Sequence, residues 1–413
     1  MTAATALDLT ALQARPSCAL CGHEAHWLGD HVLEAHGLTV QEYVRLHPDA
    51  PTMSEVARAR FEDTAKGSRR TSAPPPTDLR VKIFGLDLEV DGLMSDAHCL
   101  MTPPAYRFAT KGRARKALKR ALIAIQSRRH TYITGMPGTG KDAFIAALSG
   151  MLRMPAVAVN IIPGKDISPW FFKLSINKDG DFWSYGVIWK LATEGVLGRD
   201  GVRRPAIIVI TDIDRADPAQ AEWLRLLMDS TQGRIVGPEG DVVLVFPGTT
   251  IVATANTTGA GDERGRMVSA GCLDASILDR FQRVFRFEYL TWEDEKCIVT
   301  EKFPLLAERA PELLEQVGQA CVTLRDSIEK DELYGEFSHR GLCDVLGHAE
   351  DIIRMTGRIP SNLAKEAFIA WLDGLPDSDN RLIAKRLIDP HLSGGALDDS
   401  YHAEEEAEDP DVF

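Results

Sequence analysis

Gly135, Pro137, Gly138, Thr139, Gly140 and Lys141 stand together in the segment TYITGMPGTGKDAFIAAL. Glycines at this spacing let a loop curl so that its backbone N–H groups face bound phosphates, while the lysine supplies a mobile cation to the β and γ oxygens. The chemistry implied is the binding of a nucleoside triphosphate such as ATP. The usual residue after such a lysine is Ser or Thr, whose hydroxyl binds Mg²⁺, but here it is Asp142. A carboxylate beside phosphates is repelled unless a metal ion lies between them.

The partner acids come from AIIVITDID, an apolar run that ends in carboxylates. A strand of this kind normally offers Asp to Mg²⁺ and then Glu to polarise the attacking water. Two registers are open. In one, Asp212 holds the metal and Ile213 leaves the water without a base. In the other, Thr211 takes the metal position, Asp212 the base position, and Asp214 follows. The second is favoured, because it makes Asp142 and Thr211 a reciprocal exchange of carboxylate and hydroxyl around one Mg²⁺. A degenerate pocket that binds nucleotide without hydrolysis competes with both. Farther on, Asn256 ends TTIVATANT, where it can position the water or read the γ-phosphate, or serve as a turn residue. Arg280 and Arg283 in SILDRFQRVFRF and Arg340 in SHR complete the set. Arginine stabilises charge on a transferring phosphoryl group when a neighbouring subunit or a closing lid delivers it, although each of these would otherwise read as a surface ion pair.

A separate chemistry is written near the amino end. Cys18, Cys21, His31 and His36 form C-x2-C-x9-H-x4-H. Two thiolates on a tight knuckle and two imidazoles on one face of HVLEAH can close a tetrahedral Zn²⁺ site. His23, His26 and His47 compete as ligands, and a metal-free helical core is the alternative. Between residues 15 and 47 the only cations besides His are Arg15 and Arg45, too little charge for strong unaided phosphate binding.

The elements that must position these groups follow from composition and periodicity. A chain of 413 residues allows two to four domains at roughly 100 to 200 residues each. Its 47 Lys and Arg against 60 Asp and Glu give a net charge of −13, which excludes a generally basic nucleic-acid coat. Hydrophobic residues at 44% and charged residues at 26% fit a folded globular chain. The longest charge-free run, 242–261, is broken by Pro247, Gly248 and several Thr and Asn, so no membrane span is expected. The amino end lacks the basic, apolar, small-residue progression of a secretory signal, and the seven dispersed cysteines suit a reducing compartment, so a cytoplasmic location is expected.

Residues 1–66 read as a zinc-finger-like module and 67–78, GSRRTSAPPPTD, as an extended linker. Short β-rich runs (TYIT, AVAVNI, AIIVIT, TTIVATA) alternate with helical patterns over 79–290, the form of a parallel sheet covered by helices. Apolar residues then recur at helical spacing over 291–390, predicting a helical lid domain, and 391–413 reads as an acidic disordered tail. The fold class expected is therefore α/β, a P-loop parallel sheet with a helical lid and a small amino-terminal zinc-binding module. Arg107 to Arg129 holds nine Lys or Arg and no acid, read as the solvated face of a packed helix or, less favoured, a nucleic-acid contact.

The order of motifs resembles an AAA+ ATPase of the MoxR branch, and more narrowly the ATPase subunit of aerobic cobaltochelatase, CobS. The residues that carry the resemblance are FGLDLEV (84–90), GMPGTGKD, DIDRADP (212–218), VATANTTGAGDERG (252–265), LDRF (278–281) and SHR (338–340). The resemblance implies a ring, usually hexameric, with ATP at subunit interfaces and a protein client. By position it makes Asn256 the first sensor, Arg280 the arginine finger, Arg340 the second sensor and Arg215 a further interface candidate. It also implies a hairpin inserted in the second helix, which WFFKLSINKDGDFWSYGVIW fits. Core packing is the default reading of that segment's seven aromatics, a partner-gripping surface the alternative. Two features depart from the pattern: the family has Ser or Thr at 142 and Asp-Glu at 211–212, and the amino-terminal Cys/His module, which resembles a Ros/MucR zinc finger, is foreign to the usual cobaltochelatase subunit. Three functions stand at this point. One is a remodelling ATPase acting on a von Willebrand A-type or chelatase partner. The others are a true cobaltochelatase subunit and a nucleotide-switched, DNA-associated scaffold.

Overall fold

The computed structural model describes residues 16–24, 28–36, 38, 40–48, 50–52, 79–177, 180–228, 234–261 and 271–392. The expected linker, Arg15, His26, the turn residues Lys178 and Asp179, the GDERG end of the ATANT segment after Gly261, and the acidic tail from 393 lie outside them. The chain divides into two compact units, Met1–Pro76 and Thr77–Phe413.

In the first unit, a knuckle closed by the Ser17–Glu24 bridge precedes α1 (Gly29–His36) and α2 (Val40–Leu46). Leu28, Val32 and Tyr43 form its small core together with Cys18. A core this small cannot offset the entropy of ordering the segment without help.

The second unit starts with an antiparallel hairpin, β1 (Arg80–Ile83) and β2 (Leu86–Glu89). Then comes α3 (Gly112–Gln126), whose Leu118, Ala121, Leu122 and Ile125 are buried while Arg113, Lys116 and Arg120 lie at least partly exposed, as the solvated-face reading expects. The chain continues through β3 (Thr131–Gly135), α4 (Lys141–Leu152), β4 (Ala156–Asn160), the hairpin β5 (Phe172–Asn177) and β6 (Gly180–Tyr185), and α5 (Val187–Glu194). After β7 (Ile207–Thr211) and α6 (Pro218–Met228) a second hairpin follows, β8 (Arg234–Val236) with β9 (Val242–Leu244), and then β10 (Thr250–Ala255) and β11 (Arg283–Phe287).

Five of these strands form one parallel sheet in the order β11-β3-β10-β7-β4. The inner strands are buried along almost their whole length, which is why they read as unbroken apolar or β-branched runs. Parallel pairing puts all five carboxyl ends on one edge. The loop after β3, the acids after β7 and Asn256 after β10 are brought together there by topology alone.

The β5–β6 hairpin is present as the sequence suggested, with Phe172 opposite Tyr185. Phe171 and Trp189 are buried and Trp170, Phe172 and Tyr185 pack against the same core, so core packing explains most of the aromatics; Phe182 is 45% exposed.

The described residues of the unit end in a run of helices: α7 (Trp292–Lys302), α8 (Pro304–Arg309), α9 (Pro311–Glu329), α10 (His339–Thr356), α11 (Leu363–Asp373) and α12 (Ser378–Ile388). Their own core is built from residues such as Val317, Leu324, Leu346, Ile353 and Phe368. Gly318 is obligatory at the α7–α9 crossing, because a Cβ there would lie 2.0 Å from the Trp292 ring. The observed architecture is the expected α/β class: a five-stranded parallel sheet, a carboxyl-terminal helical region and an amino-terminal Cys2His2 cluster.

Candidate functional site

The loop after β3 turns on Gly135, Gly138 and Gly140, all at positive φ (154°, 71° and 79°), and Gly140 caps α4. That places the α4 amino terminus, with its unpaired N–H groups, at the sheet edge, as phosphate binding requires. Lys141 is buried. Its Nζ donates to Gly135 O (2.8 Å), Met136 O (3.1 Å) and Asn256 Oδ1 (2.9 Å), so the lysine and the first-sensor candidate are in direct contact. Burial lowers its pKa, and Asp142, Asp212, Asp214 and Glu336 oppose that shift.

Asp214 is buried and occupied. Its Oδ2 accepts from Asn256 N (3.0 Å), Thr257 N (2.9 Å) and Thr257 Oγ1 (2.9 Å), so it orients the turn after β10. Its Oδ1 is buried with no partner among the described residues. Asp212 has φ 54° and ψ 41°, a left-handed conformation at the point where β7 gives way to a 3-10 turn, strain of a kind found at functional sites. Desolvation raises its pKa, and the neighbouring Asp214 and Asp142 carboxylates raise it further against Arg215 and Lys141. Arg215 lies 4.0 Å from Asp212.

No hydrogen bond among the described residues joins Asp142 to Thr211, the pair expected to exchange roles around Mg²⁺. Thr211 Oγ1 donates across to Asn160 Oδ1 (3.1 Å) and Val159 O (3.3 Å) on β4, while Asp142 Oδ1 accepts from Thr254 Oγ1 (2.7 Å) on β10. The reason is sheet order: β4 lies beside β7 and offers Thr211 acceptors at its own level, whereas Asp142, on the helix after β3, faces the adjacent β10. The hydroxyl that accompanies Asp142 is therefore Thr254. Alternating burial gave no signal for it, because β10 is buried throughout.

Arg280 touches none of the phosphate-loop residues by hydrogen bond or ion pair among the described residues; its guanidinium bonds Ser276 O, one turn back. Arg340 is exposed at the start of α10 and acts on Glu336, whose carboxyl also senses Lys141. Desolvation raises the Glu336 pKa in spite of these two cations. Ser338, the α10 cap, presses on the phosphate loop: a Cβ at Gly138 would sit 2.6 Å from Ser338 Cβ. Beside the loop opens a cavity of about 570 Å³ whose lining includes Met136, Thr139, Tyr289, Trp292, Arg325 and Phe337. Sequence reasoning had no motif for Tyr289, Arg325 or Glu336.

In the amino unit the Cys18, Cys21, His31 and His36 donor atoms lie within 4.8 Å of one another, a group that could hold a metal ion. Cys21 Sγ is 3.1 Å from His31 Nε2 and 3.4 Å from His36 Nε2; Cys18 Sγ is 3.6 Å from His36 Nε2. His23 is stacked on His31, centroids 4.2 Å apart, rather than placed in the donor set. No helix among the described residues is long and apolar enough to cross a membrane.

No protein-family model matches the chain. It is 25% identical over 243 residues to the aerobic cobaltochelatase subunit CobS of Sinorhizobium sp, covering 55% of this chain and 67% of that protein. Among solved structures, the RuvB Holliday junction branch migration motor of Thermotoga maritima is 15% identical with a TM-score of 0.41, covering 66% of this chain and 72% of that one. NtrX of Brucella abortus in complex with ADP is 14% identical with a TM-score of 0.42, covering 86% and 68%. On its own geometry the chain pairs a five-stranded parallel sheet with a glycine-rich loop and a buried lysine at the sheet edge, and in sequence it is distantly similar to CobS.

Proposed function

We propose that this chain is an ATP-hydrolysing AAA+ remodelling ATPase that works as a hexameric ring, the assembly its motif order implies by resemblance, and that acts on a protein partner.

ATP is held by the loop from Gly135 to Lys141, and the cavity beside it takes the base and ribose against Tyr289, Trp292 and Phe337. The observation that carries this reading is the meeting of Lys141, Asn256, Asp142 and Asp212 on one sheet edge, supplied by the ends of β7 and β10 and the helix after β3.

Asp142 and Asp212 are the two acids that would hold a Mg²⁺ ion. The Asp142 carboxylate makes ionisation of Asp212 harder, and a divalent cation between them would relieve this while neutralising phosphate charge. Asp212 also stands where a base would polarise the attacking water, with Asn256 to position it. Arg280 of a neighbouring subunit and Arg340 of the lid would stabilise charge on the transferring phosphoryl group. The Cys18, Cys21, His31 and His36 group holds Zn²⁺ as a structural, closed site.

Purified chain should turn over Mg²⁺-ATP, and faster in the presence of a von Willebrand A-type or chelatase partner. Nucleotide binding with no turnover under any of these conditions would reject hydrolysis. A second reading, the ATPase subunit of a cobaltochelatase, is supported by the similarity to CobS. Turnover that requires a corrinoid substrate together with the partner would favour it over general remodelling.

The metal assignment makes its own prediction. Asp142→Asn and Asp212→Asn should each weaken Mg²⁺-dependent ATP binding, and the double variant should lose less than the sum, with a coupling on the order of 1 to 3 kcal/mol. Strictly additive losses across the cycle, measured by calorimetry with Mg²⁺-ATP, would separate the two acids.

A further inference from the structure

Glu295, on α7, is buried, with its side chain 3% exposed, and binds two cations from two other helices. Arg325 of α9 donates to it from both terminal nitrogens, at 2.6 and 3.1 Å. His339, the first residue of α10, meets it through Nδ1 at 2.6 Å. Each cation also leads to the phosphate loop. The Arg325 guanidinium lies 4.1 Å over the Tyr289 ring, and the Tyr289 hydroxyl donates to Pro137 O at 2.9 Å. Arg325 Nε donates to Phe337 O at 2.8 Å, just before Ser338 and His339, which abut Gly138.

Two consecutive loop residues, Pro137 and Gly138, are thus braced from the helical region, and both braces end on one buried carboxylate. We propose that Glu295 is a positioning residue for nucleotide binding, which through Arg325 and His339 holds Tyr289 and the start of α10 against the phosphate loop. This rests on the nucleotide-binding reading above. No hydrogen bond or ion pair among the described residues joins Glu295 to the loop itself, so its effect passes through these two partners. A buried carboxylate deprived of its partners is costly, which makes the arrangement all-or-none rather than gradual.

The charge on His339 makes the role testable. Burial alone would lower its pKa, but contacts with Cys343 and Glu295 outweigh that and raise it to about 9. The groups that face the network are Glu295 and Lys302 from α7, Arg325 and Cys321 from α9, Cys343 from α10 itself, and Tyr289 and Glu336 from the adjoining loops. A raised histidine pKa means the charged contact is complete at neutral pH and is lost as pH climbs through about 9.

The experiment is Mg²⁺-ATP binding by the full chain, followed by calorimetry from about pH 7 to about pH 10, for wild type, Glu295→Gln and His339→Gln. Wild-type affinity should fall about tenfold through the His339 titration. In His339→Gln that step should disappear, because glutamine can still donate to Glu295 but does not titrate. Burial also lowers the Lys141 pKa, but Lys141 is common to both proteins, and the difference between their profiles isolates the change at His339. In Glu295→Gln affinity should be lower already at neutral pH and the step displaced downward. Superimposable wild-type and His339→Gln profiles would overturn the proposal while leaving nucleotide binding intact. No binding by wild type at any pH would overturn both. His339→Gln keeps the test decisive if Glu295→Gln fails to fold.

Discussion

Arg280→Ala is expected to lower ATP turnover by about 10³-fold or more while leaving nucleotide affinity nearly unchanged. The physical reason starts from where Arg280 is not. Within its own chain its guanidinium bonds Ser276 O and no hydrogen bond or ion pair among the described residues joins it to the phosphate loop, as suits a group offered to a neighbouring subunit. An arginine that acts on a neighbour's γ-phosphate contributes when charge develops in the transition state, and its loss then appears in kcat. Mixing subunits gives a second readout. Arg280→Ala and Lys141→Ala chains should each be inactive alone, and mixed rings should recover part of the turnover, because each supplies what the other lacks at a shared interface. Full turnover by Arg280→Ala, or by a demonstrably monomeric chain, would remove the assignment.

Stripping metal from the amino-terminal unit should unfold that unit and spare the second unit. Structural zinc contributes on the order of 10 to 16 kcal/mol at neutral pH in small modules, far more than a core of Leu28, Val32 and Tyr43 can supply. Protein made with zinc available should contain one equivalent by elemental analysis. A chelator, or Cys18→Ala, should abolish the ordered signals of residues 16–52 in NMR spectra while Mg²⁺-ATP binding persists. Binding also requires deprotonated thiols and neutral imidazoles, so zinc should be released as pH falls below the histidine range. Absence of zinc from such protein, or an amino-terminal unit unchanged by chelation, would contradict the assignment.

Much of this protein could be read from residue order. The glycine spacing before Lys141 needs no tertiary context, since a strand, a curled loop and a helix are local structures and their residues are contiguous. The inner strands declared themselves as unbroken apolar runs because both faces of the sheet are covered. The Cys18–Cys21 and His31–His36 pairs likewise depend on a knuckle and one helix, so their convergence on one point follows from local geometry.

What the sequence left open was which side chains meet across elements. It placed Thr211 at a strand end and Asp142 on the helix after the glycine-rich loop, and the order of strands in the sheet decided that Thr211 bonds Asn160 and Asp142 bonds Thr254. Strand order is a property of chain crossovers and leaves no periodic trace. Asp214 follows the expected base in sequence, but only its burial under the turn of Asn256 and Thr257 decided that one of its carboxylate oxygens orients that turn. Tyr289, Glu295 and Arg325 are separated from the phosphate loop by long stretches of chain and match no motif. Only the packing of α7, α9 and α10 beside the sheet edge brings them to Pro137 and Gly138, because side-chain contact between distant segments is decided by how whole elements pack.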